Sequence, residues 1–252
     1  MAQSTLSKNV KTFEIEAPQL NSNKKIWIYL PANYALDEQK YPVIYMHDAQ
    51  NVFDDSTAYA GEWNVDEFLD ETHSEKAIIV AIEHGGDKRI SELTPYPNEK
   101  YGGGNGKNYV DFIRYTLKPH IDASYRTLAD QANTGIFGSS LGGLISFYAA
   151  FEYPEVFSKI GVFSPSFWFS EQIYGKVKNS EITNDQKFYI LAGKRESDSM
   201  VEEVNTMQDL LISKGFEPQN LIVKLVEDGE HNEKLWRENF SEAYQWLIEP
   251  IE

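Results

Sequence analysis

The sequence predicts an α/β protein: a largely parallel sheet of about eight strands flanked by helices. Three observations carry this reading. Two early segments alternate in polarity like half-buried strands. Short, nearly continuous apolar runs of strand formers then recur, the mark of strands covered on both faces. Segments of helical period fill most of the intervals between them, as crossover connections of a parallel sheet require.

In order, Thr12 to Glu16 alternates, and Lys25 to Leu30 follows as a second strand ended by Pro31. Tyr41 to His47 is a central strand, broken by the turn chemistry of Asp48-Ala49-Gln50-Asn51. Val65 to Thr72 is helical, with Asn64 placed as its N-cap, and Ala77 to Ile82 is the next strand. From His84 to about Lys107, Pro95, Pro97 and the run Gly102-Gly103-Gly104-Asn105-Gly106 predict a surface loop, either slack or lining a site. It is not a phosphate loop, because Tyr101 and Asn108 stand where glycine and Ser or Thr are needed. Tyr109 to Leu117 is helical, with Pro119 expected to stop it. Strands follow at Ile136, Lys159 to Ser164, Phe188 to Ala192 and Leu221 to Val226. Helices run from Ser199 to Ser213, with Gly215 at C′, and from about Asn232 to Leu247.

No linker-like tract, repeat or low-complexity stretch divides the 252 residues, so one domain over 1–252 is expected. A net charge of −16 argues against nucleic acid and anionic membrane surfaces as partners. With no cysteine, disulfides, thiol catalysis and Cys-ligated metals are excluded. The first residues lack a basic and apolar leader, and no run is long enough to span a bilayer. As written, the chain is expected to be soluble and cytoplasmic; secretion or a periplasmic location is the alternative if a signal peptide was removed.

The chemistry centres on Gly138-Ser139-Ser140-Leu141-Gly142-Gly143. A strand leads into this Gly-x-Ser-x-Gly pattern and a buried helix leads out, so the turn is tight enough to demand residues without side chains beside it. The Ser140 hydroxyl is lifted clear of the sheet at a helix N-terminus, where free N–H groups can hold an oxyanion. On α/β-hydrolases the acid and then the base follow the serine. Of His47, His73, His84, His120 and His231, only His231 does so, just past the last strand. The acid belongs in Gly193-Lys194-Arg195-Glu196-Ser197-Asp198. Spacing alone does not choose between the two carboxylates, but Asp198 suits the N-cap of the next helix, which favours Glu196 as the acid.

The Leu141 N–H is the first expected oxyanion donor, and Gln50, with Ala49 behind it, is the candidate for the second. His47 and Asp48 do not make a metal site, since adjacent side chains diverge and no third ligand is evident. Phe167-Trp168-Phe169, Trp63, Tyr96 and Tyr101 are read as core in preference to an aromatic acyl or sugar pocket.

Together these motifs resemble the putative-esterase family of α/β-hydrolases, which includes esterase D-like proteins, enterochelin esterases and feruloyl or acetyl-xylan esterases. The residues carrying the resemblance are Tyr45 to Asn51, Leu117 to Asp122 with Tyr125-Arg126-Thr127, Gly138 to Gly143, Tyr153 to Phe157, Ser164 to Trp168, and Gly229 to Glu233 with Trp236. The family's serine and histidine fall on Ser140 and His231, and its acid, three residues past a glycine, on Glu196. One departure is Ala49, where the family pattern Asp-Gly-Gln has glycine; its methyl is expected to crowd the oxyanion loop.

The resemblance implies two-step acyl transfer on a small-molecule ester, with no cofactor. Short or aromatic acyl esters of polar alcohols, such as carbohydrate or siderophore-type esters, are the expected substrates. An acyltransferase using the same triad, a peptidase, and an inactive hydrolase fold used for binding are the alternatives.

Overall fold

The computed structural model describes residues 3–72 and 76–249; His73 lies outside them. Eight strands form its main sheet: β1 (Val10–Ala17), β2 (Ser22–Tyr29), β3 (Val43–His47), β4 (Ile78–Ile82), β5 (Thr134–Ser139), β6 (Lys159–Phe163), β7 (Lys187–Gly193) and β8 (Leu221–Val226). Their spatial order is β1-β2-β4-β3-β5-β6-β7-β8. β1 and β2 form an antiparallel pair with Val10 opposite Tyr29, β2 runs antiparallel to β4, and every later pairing is parallel. This is the α/β-hydrolase arrangement the sequence predicts.

The apolar runs are continuous because both faces of the sheet are covered. Val43 and Tyr45 of β3 enter one core, and Ile44 and Met46 enter the other. Ile78, Val80 and Ile82 of β4 alternate with Ile79 and Ala81 in the same way, as the period of two dictates. Helices α1 (Val65–Glu71) and α7 (Glu233–Ile248) cover one face. The other is covered by the helical rod α3 (106–124), α4 (Leu141–Glu152), α5 (Gln172–Asn179) and α6 (Met200–Ser213). Among the described residues, no helix is long and apolar enough to cross a membrane.

Three local expectations are corrected. Pro119 does not stop α3, because the turn before it, Ile113–Leu117, widens into a π-helix and the rod continues through Lys118–Ser124. A wider turn displaces the carbonyl that a proline ring would strike and removes the demand for its missing N–H. Asn64 stands before α1 but in left-handed conformation, φ 55°, and makes no side-chain cap; its carbonyl accepts from the Phe68 N–H instead. The segment from His84 is not simply a surface loop. It carries a short helix, α2 (Arg89–Leu93), with Glu92, Leu93 and Thr94 buried. Nor is its glycine run slack. Gly103 sits at φ 89°, and a Cβ there would lie 2.3 Å from Thr94 Oγ1. Close packing onto Thr94, which accepts from the Gly104 N–H at 2.9 Å, is what requires glycine.

Candidate active site

β5 ends at Ser139, α4 begins at Leu141, and Ser140 joins them at φ 58°, ψ −122°. Such a conformation costs a non-glycine residue about 1–3 kcal/mol and persists only where its surroundings over-determine it. Here they do. A Cβ on Gly138 would lie 2.5 Å from the Gly142 carbonyl, and one on Gly143 would lie 2.8 Å from the Phe163 carbonyl oxygen. Gly142 is less constrained, its Cβ position being 3.3 Å from His47 Cβ. The demand for small residues thus falls on Gly138 and Gly143, one place beyond the motif. The Ser140 N–H is bound to the Phe163 carbonyl at 2.9 Å, and the Leu141 N–H has no acceptor among the described residues.

His231 follows β8, and Glu196 follows β7. The two loops are stitched together by the Arg195 N–H donating to the Gly229 carbonyl at 3.0 Å and the Lys194 N–H to Val226 at 2.9 Å. This brings Glu196 Oε2 to 2.6 Å from His231 Nδ1. The other oxygen, Oε1, accepts from the Ser164 hydroxyl and the Gly193 N–H, each at 2.6 Å. Ser164, fully buried at the end of β6, itself accepts from Trp236 Nε1 at 2.8 Å. The Trp236 ring also meets His231 edge-on at 5.3 Å between centroids. Because a carboxylate only accepts, Nδ1 carries the proton and Nε2 presents a lone pair.

Ser140 and His231 line one cleft of about 380 Å³, with Asp48, Tyr59, Arg89 and Trp236 among its walls. The Ser140 hydroxyl has one hydrogen-bond partner among the described residues, Ser166 Oγ at 3.4 Å. No hydrogen bond joins it to His231 in this conformation. Ser139 also reaches the cleft, so its side of the turn is not wholly turned away.

Asp198 does not cap α6, contrary to expectation. Ser199 occupies the cap position without a side-chain bond, and the Met200 N–H is held by Ser197 Oγ at 3.2 Å. On the opposite wall, Asp48, itself at φ 55°, is gripped by Arg89 through two bonds of 2.7 and 2.8 Å. Burial works against the Arg89 charge, but Asp48 outweighs it and the guanidinium is held above its ordinary value. Burial also raises the carboxyl of Glu233, which closes the cleft near Asn51.

His47 is structural. Its Nε2 donates to Ser146 Oγ at 3.1 Å, since the Ser146 proton is spent on the Gly142 carbonyl at 2.8 Å, and its Nδ1 accepts from the Tyr109 hydroxyl at 2.8 Å. Full burial pushes it down to about 4, so it is neutral and clamps β3 to the start of α4. Gln50 lies in a short 3₁₀ turn, Ala49–Asn51. Its side chain accepts from the His84 N–H at 3.3 Å, and its own N–H has no acceptor among the described residues. The Ala49 methyl does not crowd this turn; it is buried in the core beneath it.

Trp63 stacks on Phe163 at 5.4 Å and 10°, and Phe167 and Phe169 are also buried, as a core reading expects. Trp168 and Tyr101 are exposed instead, edge-on at 5.8 Å.

A model of the family described as putative esterase matches residues 17–247 of this sequence. The chain belongs to that family. It is therefore a carboxylic ester hydrolase, and it has esterase relatives. It is 25% identical over 238 residues to the uncharacterised protein YbbA of Bacillus subtilis, covering 89% of this chain and 92% of that one. It is 26% identical over 159 residues to the siderophore triacetylfusarinine C esterase of Aspergillus fumigatus, covering 58% of this chain and 52% of that one. In structure it is similar to the enterobactin esterase FES of Shigella flexneri, with a TM-score of 0.75 at 19% identity over 96% of this chain and 59% of that one.

Some residues of this esterase's cleft were not assigned a role from sequence. Ser164, Ser166 and Trp236 carry part of the family resemblance, but only the fold reveals that two of them brace Glu196 and one meets Ser140. Arg89 pairs with a residue 41 positions away and leaves no local signal.

Proposed function

We propose that the chain, acting as a single domain, hydrolyses esters through a Ser140–His231–Glu196 triad and an acyl-enzyme. The observation that carries this reading is the bond between Glu196 and His231 beside a serine held on a strained turn. Glu196 keeps the imidazole in the tautomer whose Nε2 can accept a proton. The Ser140 hydroxyl leaves Ser166, turns to Nε2, and attacks the ester carbonyl as its proton passes to His231. The carbonyl oxygen becomes an oxyanion received by the N–H groups of Leu141 and Gln50, neither of which has an acceptor among the described residues. His231 then gives its proton to the departing alcohol. Water repeats the sequence on the acyl-enzyme and returns the free acid. Chain side chains and backbone account for each step.

Short or aromatic acyl esters of polar alcohols, among them siderophore-type esters, are the substrate class we infer. The Asp48–Arg89 pair in the cleft's lining and the siderophore esterase among the sequence relatives support it. The test is mass spectrometry of the protein quenched during turnover of p-nitrophenyl acetate. An acetyl group on the Ser140 peptide is expected, together with its loss from Ser140→Ala. Acetylation elsewhere, or turnover in Ser140→Ala within tenfold of wild type, defeats the assignment.

A further inference from the structure

On the α1 side of the molecule, away from the triad, three carboxylates meet. Glu62, Asp66 and Glu67 each place an oxygen within 4.8 Å of the other two. Glu62 and Asp66 are 2% and 0% exposed. Within the cluster Glu62 Oε2, Asp66 Oδ1 and Glu67 Oε2 are buried and accept no hydrogen bond. Among the described residues, none of the three carboxylates takes part in an ion pair. Arg237 donates to the Glu62 backbone carbonyl oxygen, at 2.8 Å, and not to its carboxylate.

Burying a carboxylate without a partner costs several kcal/mol, and three together add mutual repulsion. For the oxygens left without a hydrogen bond, a proton or a cation relieves that. The donors are all hard oxygens, with no imidazole or thiolate, which selects a calcium- or magnesium-type ion over zinc or copper. Of the two, calcium fits a buried cluster of carboxylates better, since it takes six to eight oxygens in flexible geometry, whereas magnesium demands a strict octahedron and keeps several waters. Three carboxylates, each able to bind through one or two oxygens, supply three to six ligands.

We propose that Glu62, Asp66 and Glu67 form a calcium site that braces one wall of the esterase cleft. Asp66 Oδ2 also accepts from the Ser7 N–H at 2.8 Å, so an ion here ties the N-terminal segment to α1. Glu62 ends the loop that carries Tyr59 and Ala60 into the cleft.

The test uses the full-length protein freed of metal with a chelator. Calcium chloride titrated at pH 7.5 should bind one to one by calorimetry. Saturation should raise Tm by about 5 °C, with magnesium much weaker. Terbium should luminesce on excitation of the neighbouring Trp63, and calcium should quench that signal. Glu62→Gln and Asp66→Asn should each lose the calcium heat and the terbium signal. Absence of heat and of a Tm change at millimolar calcium overturns the proposal. So does calcium binding that persists in both variants, and so does a wild type indifferent to calcium whose variants are simply more stable, which would mean the cluster holds only a shared proton.

Discussion

Glu196 binds His231 at 2.6 Å while only 1% of its side chain is exposed, against 38% for the histidine. The acid is thus sealed beneath a base that solvent reaches, and Ser164 and Gly193 fix it from below. Glu196→Gln keeps the shape but can present an N–H to Nδ1 and so favours the wrong tautomer. It should lower kcat by up to about 10⁴. Asp198→Asn, at a residue that neither caps α6 nor bonds His231, should leave kcat within about twofold. Steady-state kinetics on one ester decides it: a slow Asp198→Asn beside a normal Glu196→Gln would reverse the assignment.

Ser140→Ala should lose on the order of 10⁴–10⁶ in kcat with its circular dichroism and Tm nearly unchanged. His231→Ala should match it, and the double variant should be no worse, because the two act as a unit. Ser139→Ala should keep most activity although Ser139 borders the cleft. Full loss in Ser139→Ala with retention in Ser140→Ala would place the nucleophile one residue earlier.

The strands were legible because both faces of each are covered, so that period and composition agree over Val43 to His47 and Ile78 to Ile82. Ser140, His231 and Glu196 were legible as candidates because a tight turn and a chain order leave few places for them. What stayed hidden depends on contacts distant in sequence. Nothing near Arg89 points to Asp48, and nothing near Ser164 shows that it stands between Glu196 and Trp236. Pro119 misled for the converse reason: its local rule holds, and the π turn before it is how the rod satisfies that rule.

His47 makes stability depend on pH. Buried and neutral, it sits at about 4 in the folded chain against 6.5 when unfolded, so between those values the unfolded state binds the extra proton. Its contribution is complete above pH 6.5 and is lost as pH falls toward 4, on the order of 3 kcal/mol in all. Glu62 and Asp66, raised by burial, act in the opposite sense over a range that includes this one. The comparison is therefore with His47→Gln. Urea unfolding from pH 7 to 4 should show the wild type losing more stability than the variant; parallel curves would contradict it.

Lys24 and Glu92 form an ion pair with each side chain 4% exposed, joining β2 to the short helix that carries Arg89. Glu92→Ala should cost about 3–5 kcal/mol in denaturant unfolding, since Lys24 is left charged and buried. Lys24→Met with Glu92→Leu should recover most of it, because apolar pairs of similar volume avoid the desolvation penalty. A double variant as unstable as the single one would mean that the pair stabilises by its own attraction.

The cleft also bears on acyl length. Its volume of about 380 Å³ is lined by Tyr59, Ala60 and Trp236 together with Asp48, Arg89, His84 and Glu233, and among these walls the Asp48–Arg89 pair is held by two hydrogen bonds. A long alkyl chain laid along that wall would strip water from charged groups without replacing their hydrogen bonds, which costs more than its methylenes return at about 0.8 kcal/mol each. α5, with Lys176 and Lys178 in its last turn, offers no apolar lid for an oil–water interface. Across p-nitrophenyl esters, kcat/KM should peak at acetyl to butyryl or at aromatic acyl groups and fall beyond them. Acetylated and feruloylated sugars should also be turned over. A kcat/KM that climbs past eight carbons, with activation at an interface, would show that the acyl chain leaves the cleft by an apolar path and would refute this substrate class.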